Sequence, residues 1–297
     1  MRAVWSFWSK PYAASTGLRW QGERFHLFAW VLSLLQARQF YPQTMLVTDT
    51  PGKNLLVDRL GLPFERVSTA LDALAERPAQ FWALGKLYAY RLQEEPFFHL
   101  DTDVFLWKAL PVDLIRAEFF AQNPEVFDLA LPSCYRPDDF NRALELTGGW
   151  RPAAWTWALE NRASFAVNCG VVGGACLDFL HAYASDAIRL IEDPANQAAW
   201  QILGDVRSDN VVFEQYMLGA CLEYARNNGS APESRFLFSS LDEAFNADCA
   251  RELGFTHLLG EAKSQPELLV RIEARVKGDY PEYYTRCTRV LASWKGW

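Results

Sequence analysis

The chain has 297 residues, of which half are hydrophobic, and a formal net charge of −7. This length and hydrophobic content are sufficient for one continuous α/β core with insertions, and the negative charge argues against a nucleic-acid partner, since nucleic-acid-binding proteins generally carry a basic face. Its six cysteines contain no CxxC pair and show no secretory spacing, which predicts reduced thiols rather than a disulfide framework.

Predicted strands and helices alternate through the first part of the sequence. The apolar patterns and the Gly-Leu-Pro break at 61–63 predict strands at 3–8, 45–48 and 64–67 and helices at 25–39 and 54–60. Such a βαβ series forms a mostly parallel sheet with right-handed crossovers. We therefore predict the α/β fold class.

The sequence gives no indication of a targeting or membrane segment. The first eight residues lack the apolar stretch and cleavage site of a signal peptide, and the longest apolar segment, 25–37, is too short to span a bilayer. We therefore expect no transmembrane segment and a cytoplasmic location.

Two carboxylates, Asp101 and Asp103, lie in the apolar run at 97–106, which predicts a buried strand that ends in these carboxylates. Ligands of α/β proteins bind at the carboxyl ends of central strands, where side chains face a crevice. Like charges this close repel each other unless a cation lies between them. The pattern predicts a divalent-cation site, with a solvated turn at the end of the strand as the alternative. His99, two residues before Asp101, is a reserve ligand.

Four further segments are arranged around this pair. They are Leu84-Gly85-Lys86-Leu87-Tyr88 before it and, after it, Asn168-Cys169-Gly170-Val171, Glu214-Gln215 and His257-x-x-Gly260-x-x-Lys263. In this order they resemble the motifs of the glycogenin-like enzymes, glycosyltransferase family eight, and more loosely the DxD sugar-binding glycosyltransferases of bacterial capsule clusters. The resemblance covers about 84–263 in pieces.

This resemblance implies a GT-A fold, a Rossmann-like mixed sheet flanked by helices. The fold would be a single domain over 1–297, with a nucleotide-binding half at about 1–110 and an acceptor and metal half at about 111–297. A Trp-rich insertion is expected at about 133–164. Its Trp150, Trp155 and Trp157 would either face a sugar acceptor or pack a lobe.

The same resemblance implies roles for individual residues. The implied metal ligands are Asp101, Asp103 and His257; the donor-binding residues are Lys86, Asp101, Gly260 and Lys263; and the catalytic and sugar-contacting residues are Asn168, Glu214 and Gln215. Oxygen ligands suit Mn²⁺ or Mg²⁺, and an imidazole favours manganese. The implied activity is transfer of a hexose from a nucleotide-diphosphate sugar, a UDP-sugar, to a saccharide or related hydroxyl acceptor, with retention of anomeric configuration, as in polysaccharide biosynthesis.

Two alternatives stay open, one because of departures from the motifs and one because the strand-Asp-x-Asp pattern also occurs in another class of enzyme. Glu214 stands where the family has Asp, and Lys263 is not followed by Pro-Trp. One alternative is therefore a catalytically inactive GT-A-fold protein that binds a saccharide or nucleotide. The other is a haloacid-dehalogenase-like phosphotransferase, in which Asp101 would be the nucleophile and Asp103 the acid/base. Taken singly, His257 also fits a core histidine, Lys86 a solvated helix residue, and the Glu214-Gln215 pair the polar face of a helix.

Overall fold

The computed structural model describes residues 1–14, 20–128 and 134–293. The described residues form a mixed α/β fold with a seven-stranded main sheet, a separate two-stranded sheet and flanking helices, so the predicted fold class is confirmed. The chain forms two compact units. Unit 1 comprises Met1–Glu76, His99–Leu110 and Ala247–Trp297, and unit 2 comprises Arg77–Phe98 and Pro111–Asn246. The predicted halves and insertion stay predictions, and Ser133, at the start of the insertion, lies outside the described residues.

The strands are short except for two in unit 2. They are β1 (Arg2–Phe7), β2 (Thr44–Thr48), β3 (Arg66–Ser68), β4 (Phe97–Leu100), β5 (Val104–Leu106), β6 (Phe119–Val126), β7 (Phe165–Gly174), β8 (Ser234–Phe236) and β9 (Phe255–His257).

Helices connect these strands. They are α1 (Ser9–Ala14), α2 (Glu23–Ala37), α3 (Thr50–Lys53), α4 (Leu84–Arg91), α5 (Val112–Ile115), α6 (Pro137–Thr147), α7 (Ala153–Glu160), α8 (Leu177–Glu192), α9 (Gln197–Leu203), α10 (Met217–Asn227), α11 (Leu241–Phe245), α12 (Ala247–Leu253), α13 (Pro266–Asp279) and α14 (Pro281–Ala292). Short 3₁₀ turns lie at Ala70–Leu74, Pro194–Asn196, Arg207–Asp209 and Gly260–Ser264, and π-helical turns at Asn54–Arg59 and Val212–Tyr216. No helix in the described part of the chain combines the length and the apolar character needed to cross a membrane.

Unit 1 is built on parallel strands in the order β3-β2-β1. Helix α2 is buried along most of its length, as expected of a helix that is apolar on nearly all sides. The indole of Trp5 in β1 donates a hydrogen bond of 2.9 Å to Ser33 Oγ of this helix. The predicted strands and helices of this region are confirmed, except that the expected helix at 54–60 is a π-helical turn.

The apolar run at 97–106 forms two strands with a turn between them. β4 is fully buried and ends at Leu100, and the backbone N–H of Val104 donates to the carbonyl of Asp101 at 3.0 Å. β5 then pairs antiparallel with β9, with Val104 opposite His257. The pairing joins segments about 150 residues apart in sequence and fixes where His257 lies.

In unit 2, β7 pairs antiparallel with β6 across a bulge between Ala121 and Asn123, and β6 pairs parallel with β8. Trp155 of α7 is fully buried, and its ring centre lies 5.5 Å from that of Tyr216. Of the two roles left open for Trp155, packing is therefore confirmed and the acceptor surface is wrong, because the indole has no exposed face. Arg189 covers the ring of Trp150 at 3.9 Å.

Candidate functional site

Three potential metal ligands come together in unit 1. One ligand atom from each of Asp101, Asp103 and His257 lies within 4.8 Å of the other two. The Nε2 atom of His257 lies 3.6 Å from Oδ1 of Asp103. Two carboxylates and one imidazole are a ligand set that suits Mn²⁺ or Mg²⁺. The structure thus brings together the three residues predicted as metal ligands.

Lys263 adds a positive charge to this cluster. Its Nζ forms an ion pair with Oδ2 of Asp103, whose side chain is 8% exposed. Burial on its own would raise the pKa of Asp103, but the ammonium of Lys263 and the imidazole of His257 outweigh it and hold that pKa well below its usual range. Asp103 is therefore ionised at neutral pH, the form in which a carboxylate binds a metal.

Hydrogen bonds to the carbonyls of Asp101 and Asp103 hold the backbone of the two carboxylate residues in place, and a glycine begins the turn that carries Lys263. The N–H of Leu258 donates to the carbonyl of Asp103 at 3.0 Å, and Ser33 Oγ donates to the carbonyl of Asp101 at 3.3 Å. Gly260 has φ +49 at the start of the 3₁₀ turn that carries Lys263, a conformation that favours glycine, and a Cβ at this position would meet no atom within 4 Å. The turn explains why a glycine and a lysine at this spacing follow the histidine.

His99 lies behind Asp101. Its Nδ1 is 3.8 Å from Oδ1 of Asp101, and its Nε2 is 3.0 Å from Oγ of Ser6. The ring is buried, whereas the Asp101 side chain is 25% exposed. Because His99 contacts Asp101 from the buried side, it is placed to orient this carboxylate. His257, whose ring lies beside Asp103, is therefore the better candidate metal ligand.

In unit 2, Lys86 and Glu214 form a buried ion pair. Lys86 Nζ contacts Oε1 of Glu214, and the two side chains are 12% and 1% exposed. The hydroxyl of Tyr90 donates to the same oxygen at 3.4 Å, and the hydroxyl of Tyr183 donates to the Glu214 carbonyl at 2.8 Å. Glu214 lies in a π-helical turn rather than a regular helix. The catalytic and donor-binding roles of the pair stay predictions.

Asn168 and Gln215 belong to one hydrogen-bond network. Asn168 Nδ2 donates to Glu125 Oε1 at 2.7 Å, and the hydroxyl of Tyr135 lies 2.6 Å from Glu125 Oε2 and 2.5 Å from Gln215 Oε1. Burial raises the pKa of Tyr135, and the neighbouring Glu125 raises it further, so the phenol keeps its proton. One proton cannot serve two acceptors; the network is satisfied when the Gln215 amide is turned so that its nitrogen donates to the phenol.

Sequence reasoning missed both Glu125 and Tyr135. Neither belongs to one of the motifs, and Tyr135 is followed by an ordinary helix start at Arg136 and Pro137. The available signal was the polar second half of β6, where Gln122, Asn123 and Glu125 precede the final residue Val126, and β6 pairs with the strand that carries Asn168. These two residues link the predicted sugar-contacting side chains.

A family model matches residues 1–290, which is nearly the whole chain. The chain belongs to the family of unknown function DUF6734. A search of the curated proteins gives no match for this DUF6734 protein. Among solved structures, it is similar to the galactosyltransferase LgtC in complex with donor and acceptor sugar analogs, with 13% identity, a TM-score of 0.37, and coverage of 91% of this chain and 96% of LgtC. The predicted membership of glycosyltransferase family eight stays a prediction.

The low pKa of Asp103 gives a prediction for the acid stability of this DUF6734 protein. A carboxylate whose pKa is lower in the folded than in the unfolded chain stabilises the fold above the unfolded pKa, about 3.9, and loses that contribution as pH falls toward the folded pKa. The free energy of unfolding, measured in urea without added metal, should therefore be lower for Asp103→Asn than for the wild type at pH 6. We expect a difference on the order of 2 kcal/mol that narrows toward pH 3.

The matched control is Asp248→Asn, which removes a carboxylate that is 80% exposed. It should leave the free energy of unfolding nearly unchanged between pH 3 and 6. If the free energies of unfolding of Asp103→Asn and the wild type differed by the same amount from pH 3 to pH 6, Asp103 would not be held ionised by its neighbours.

Proposed function

We propose that this protein is a metal-dependent glycosyltransferase that moves a hexose from a nucleotide-diphosphate sugar, a UDP-sugar, to a hydroxyl of a saccharide or related acceptor, with retention of configuration. The observation that supports it is the convergence of Asp101, Asp103 and His257, with the ammonium of Lys263 at the same carboxylate. Two carboxylates and an imidazole provide a cation site, and the lysine provides a second positive charge for a diphosphate.

Asp101, Asp103 and His257 would hold Mn²⁺ or Mg²⁺. The bound ion would act as a Lewis acid that neutralises negative charge on the leaving nucleoside diphosphate. Lys263 would contact the β-phosphate and supply a second positive charge there. Gly260, which has open space where a Cβ would lie, would leave room for a phosphate close to the backbone.

In unit 2, Asn168 and Gln215 would contact hydroxyls of the transferred sugar, and Tyr135 and Glu125 would hold their amides in place. Glu214 would lie beside the anomeric carbon, and Lys86 would contact the donor. The π-helical turn that carries Glu214 and Gln215 supports this assignment, because such turns occur frequently at functional sites. The ion pair with Lys86 suits an electrostatic role for Glu214 rather than that of a base, and the usual proposal for a retaining enzyme, assistance by the leaving phosphate, needs no protein base.

One of the two alternatives has an observation in its favour. Glu214 is 1% exposed and paired with Lys86, which would also fit a protein that binds a nucleotide or saccharide without turnover. A phosphotransferase of the haloacid-dehalogenase type is disfavoured, because Asp103 would have to take up and release a proton during each cycle. Lys263 and His257 instead hold its pKa well below the usual range.

Release of UDP from UDP-sugars tests the proposal. The protein is incubated with UDP-glucose, UDP-galactose and their N-acetylated forms, with Mn²⁺ or with EDTA, and UDP is quantified with and without a mixture of mono- and disaccharide acceptors. The proposal predicts metal-dependent release that an acceptor increases. Metal-dependent binding of UDP-sugars without any release of UDP would favour the non-catalytic alternative. The absence of both binding and release would contradict the proposal and this alternative.

Tyr135→Phe tests the network around Asn168 and Gln215. The change removes the hydroxyl that contacts Glu125 and Gln215, so the amides should lose their fixed orientation. We expect kcat/KM for the UDP-sugar to fall roughly tenfold, the equivalent of one or two hydrogen bonds, while the affinity for UDP stays unchanged. Tyr224→Phe, at a partly exposed tyrosine of α10, is the control. Equal losses of UDP and UDP-sugar binding in Tyr135→Phe would point to a general folding defect and contradict the sugar-specific role.

A further inference from the structure

A groove of about 350 Å³ lies in unit 1, between α13 on one side and the β5 and β9 strands on the other. Its volume is at the lower end of the roughly 300–1,000 Å³ of small-molecule pockets. It shares no residue with Asp101, Asp103, His257 and Lys263. The groove is therefore a candidate for a ligand other than the sugar donor.

The floor and lower walls of the groove are apolar. They are formed by Leu32 of α2, Phe105 of β5, Ile272 of α13 and Leu258, which follows β9, and all four are largely buried. One face of α13 provides the upper wall, because Leu268, Arg271, Ile272 and Arg275 follow the i, i+3, i+4, i+7 spacing of a single helical face. This surface favours a hydrocarbon ligand that needs no hydrogen-bond partners along its length.

The polar groups at the rim are engaged with one another, with one exception. The indole of Trp107 donates to Thr256 Oγ1 at 3.0 Å, and Arg275 lies over the Trp107 ring at 5.0 Å while its Nε contacts Asp279 at 2.7 Å. Arg271 is exposed, and within the described part of the chain its guanidinium has no hydrogen bond or ion pair. The rim thus offers one uncompensated positive charge above an apolar floor.

We propose that this groove binds an amphiphile made of a single aliphatic chain and an anionic head group. The chain would lie on Leu32, Phe105 and Ile272, and the head group would pair with Arg271. A guanidinium matches a carboxylate or a phosphate with two parallel hydrogen bonds, so both head groups share the required chemistry. The charge at the rim and the apolar floor are complementary to this class of ligand, whereas a neutral sugar would leave Arg271 without a partner.

Isothermal titration calorimetry with dodecyl phosphate, below its critical micelle concentration, tests the proposal. Butyl phosphate keeps the head group but shortens the chain, and dodecyl maltoside keeps the chain but removes the charge. Each buried methylene contributes roughly fourfold to affinity, so butyl phosphate should bind at least about a hundredfold more weakly. Dodecyl maltoside should bind about five- to tenfold more weakly, because it lacks the charged hydrogen bonds to Arg271. Dodecanoate distinguishes the head groups: the tighter of the two anionic ligands identifies the preferred one.

Two variants locate the binding site. Arg271→Gln should weaken dodecyl phosphate binding about five- to tenfold and leave dodecyl maltoside binding unchanged. Arg251→Gln removes a guanidinium that is 79% exposed on α12, outside the groove, and should change neither. The proposal would be overturned if both variants changed dodecyl phosphate affinity equally. It would also be overturned if butyl and dodecyl phosphate bound with equal affinity, or if neither dodecyl phosphate nor dodecanoate bound. None of these results depends on glycosyltransferase activity.

Discussion

Asp103→Asn should lower metal-dependent UDP release by at least about a hundredfold. Asp103 is the carboxylate that contacts both His257 and Lys263, so the change removes a proposed metal ligand and the anion that pairs with the lysine. Lewis-acid stabilisation of a leaving phosphate is worth several kcal/mol, and each 1.36 kcal/mol corresponds to a factor of ten in rate. Because asparagine is nearly identical in size to aspartate, the substitution changes the charge and the hydrogen bonding of the side chain but not its volume.

The rate measurement requires two controls. Asp248→Asn, at an exposed carboxylate of α12, should keep the wild-type rate. Circular dichroism at the assay temperature should show that Asp103→Asn is folded, because the variant is also expected to be less stable. A folded Asp103→Asn protein that retains more than about a tenth of the wild-type rate would contradict the role of Asp103 as a metal ligand.

Lys86→Met should lower the free energy of unfolding by roughly 3–5 kcal/mol, the usual effect of removing one partner of a buried ion pair. The change leaves the carboxylate of Glu214, which is 1% exposed, without the ammonium that contacts it. The hydroxyl of Tyr90, 3.4 Å from the same oxygen, is uncharged and cannot replace the ammonium. Methionine keeps much of the length and apolar character of the lysine stem. The loss of stability therefore measures mainly the effect of removing the positive charge.

Urea unfolding of a double-mutant cycle separates the charge effect from packing. Lys86→Met/Glu214→Leu replaces both partners by apolar side chains and should recover most of the stability lost in the single variant. Lys53→Met is the exposed control, because Lys53 pairs with Asp58 at 40% and 45% exposure and should cost less than about 1 kcal/mol. If Lys86→Met lowered the free energy of unfolding by less than about 1 kcal/mol, the ion pair of Lys86 and Glu214 would not stabilise the fold as expected.

The local parts of this fold could be predicted from the sequence. Continuous apolar runs predict β1, β2 and α2 because both faces of a central strand, and nearly all sides of a buried helix, contact other residues. The position of Asp101 and Asp103 at the end of a buried strand also follows from local pattern. The spacing of His257 and Lys263 is explained by the 3₁₀ turn that returns the lysine to Asp103.

Contacts between distant segments could not be predicted in this way. The pairing of β5 with β9 brings Asp103 and His257 together, but only the family resemblance, not any local pattern, associated these residues. Tyr135 joins Asn168 to Gln215 through a hydroxyl that has no sequence signature. For Trp155 the sequence could not decide between a sugar-facing and a packing role, because only the contact with Tyr216 shows that the indole packs the core.

Mn²⁺ binding, followed by electron paramagnetic resonance with and without UDP, tests the central claim most directly. We predict that the wild type binds Mn²⁺ at one site and that UDP tightens this binding. Asp103→Asn should lose most Mn²⁺ affinity, while Lys263→Ala should keep Mn²⁺ binding and lose the tightening by UDP. Mn²⁺ binding that is equally strong in Asp103→Asn, or that does not respond to UDP in the wild type, would contradict a donor site at Asp101, Asp103 and His257.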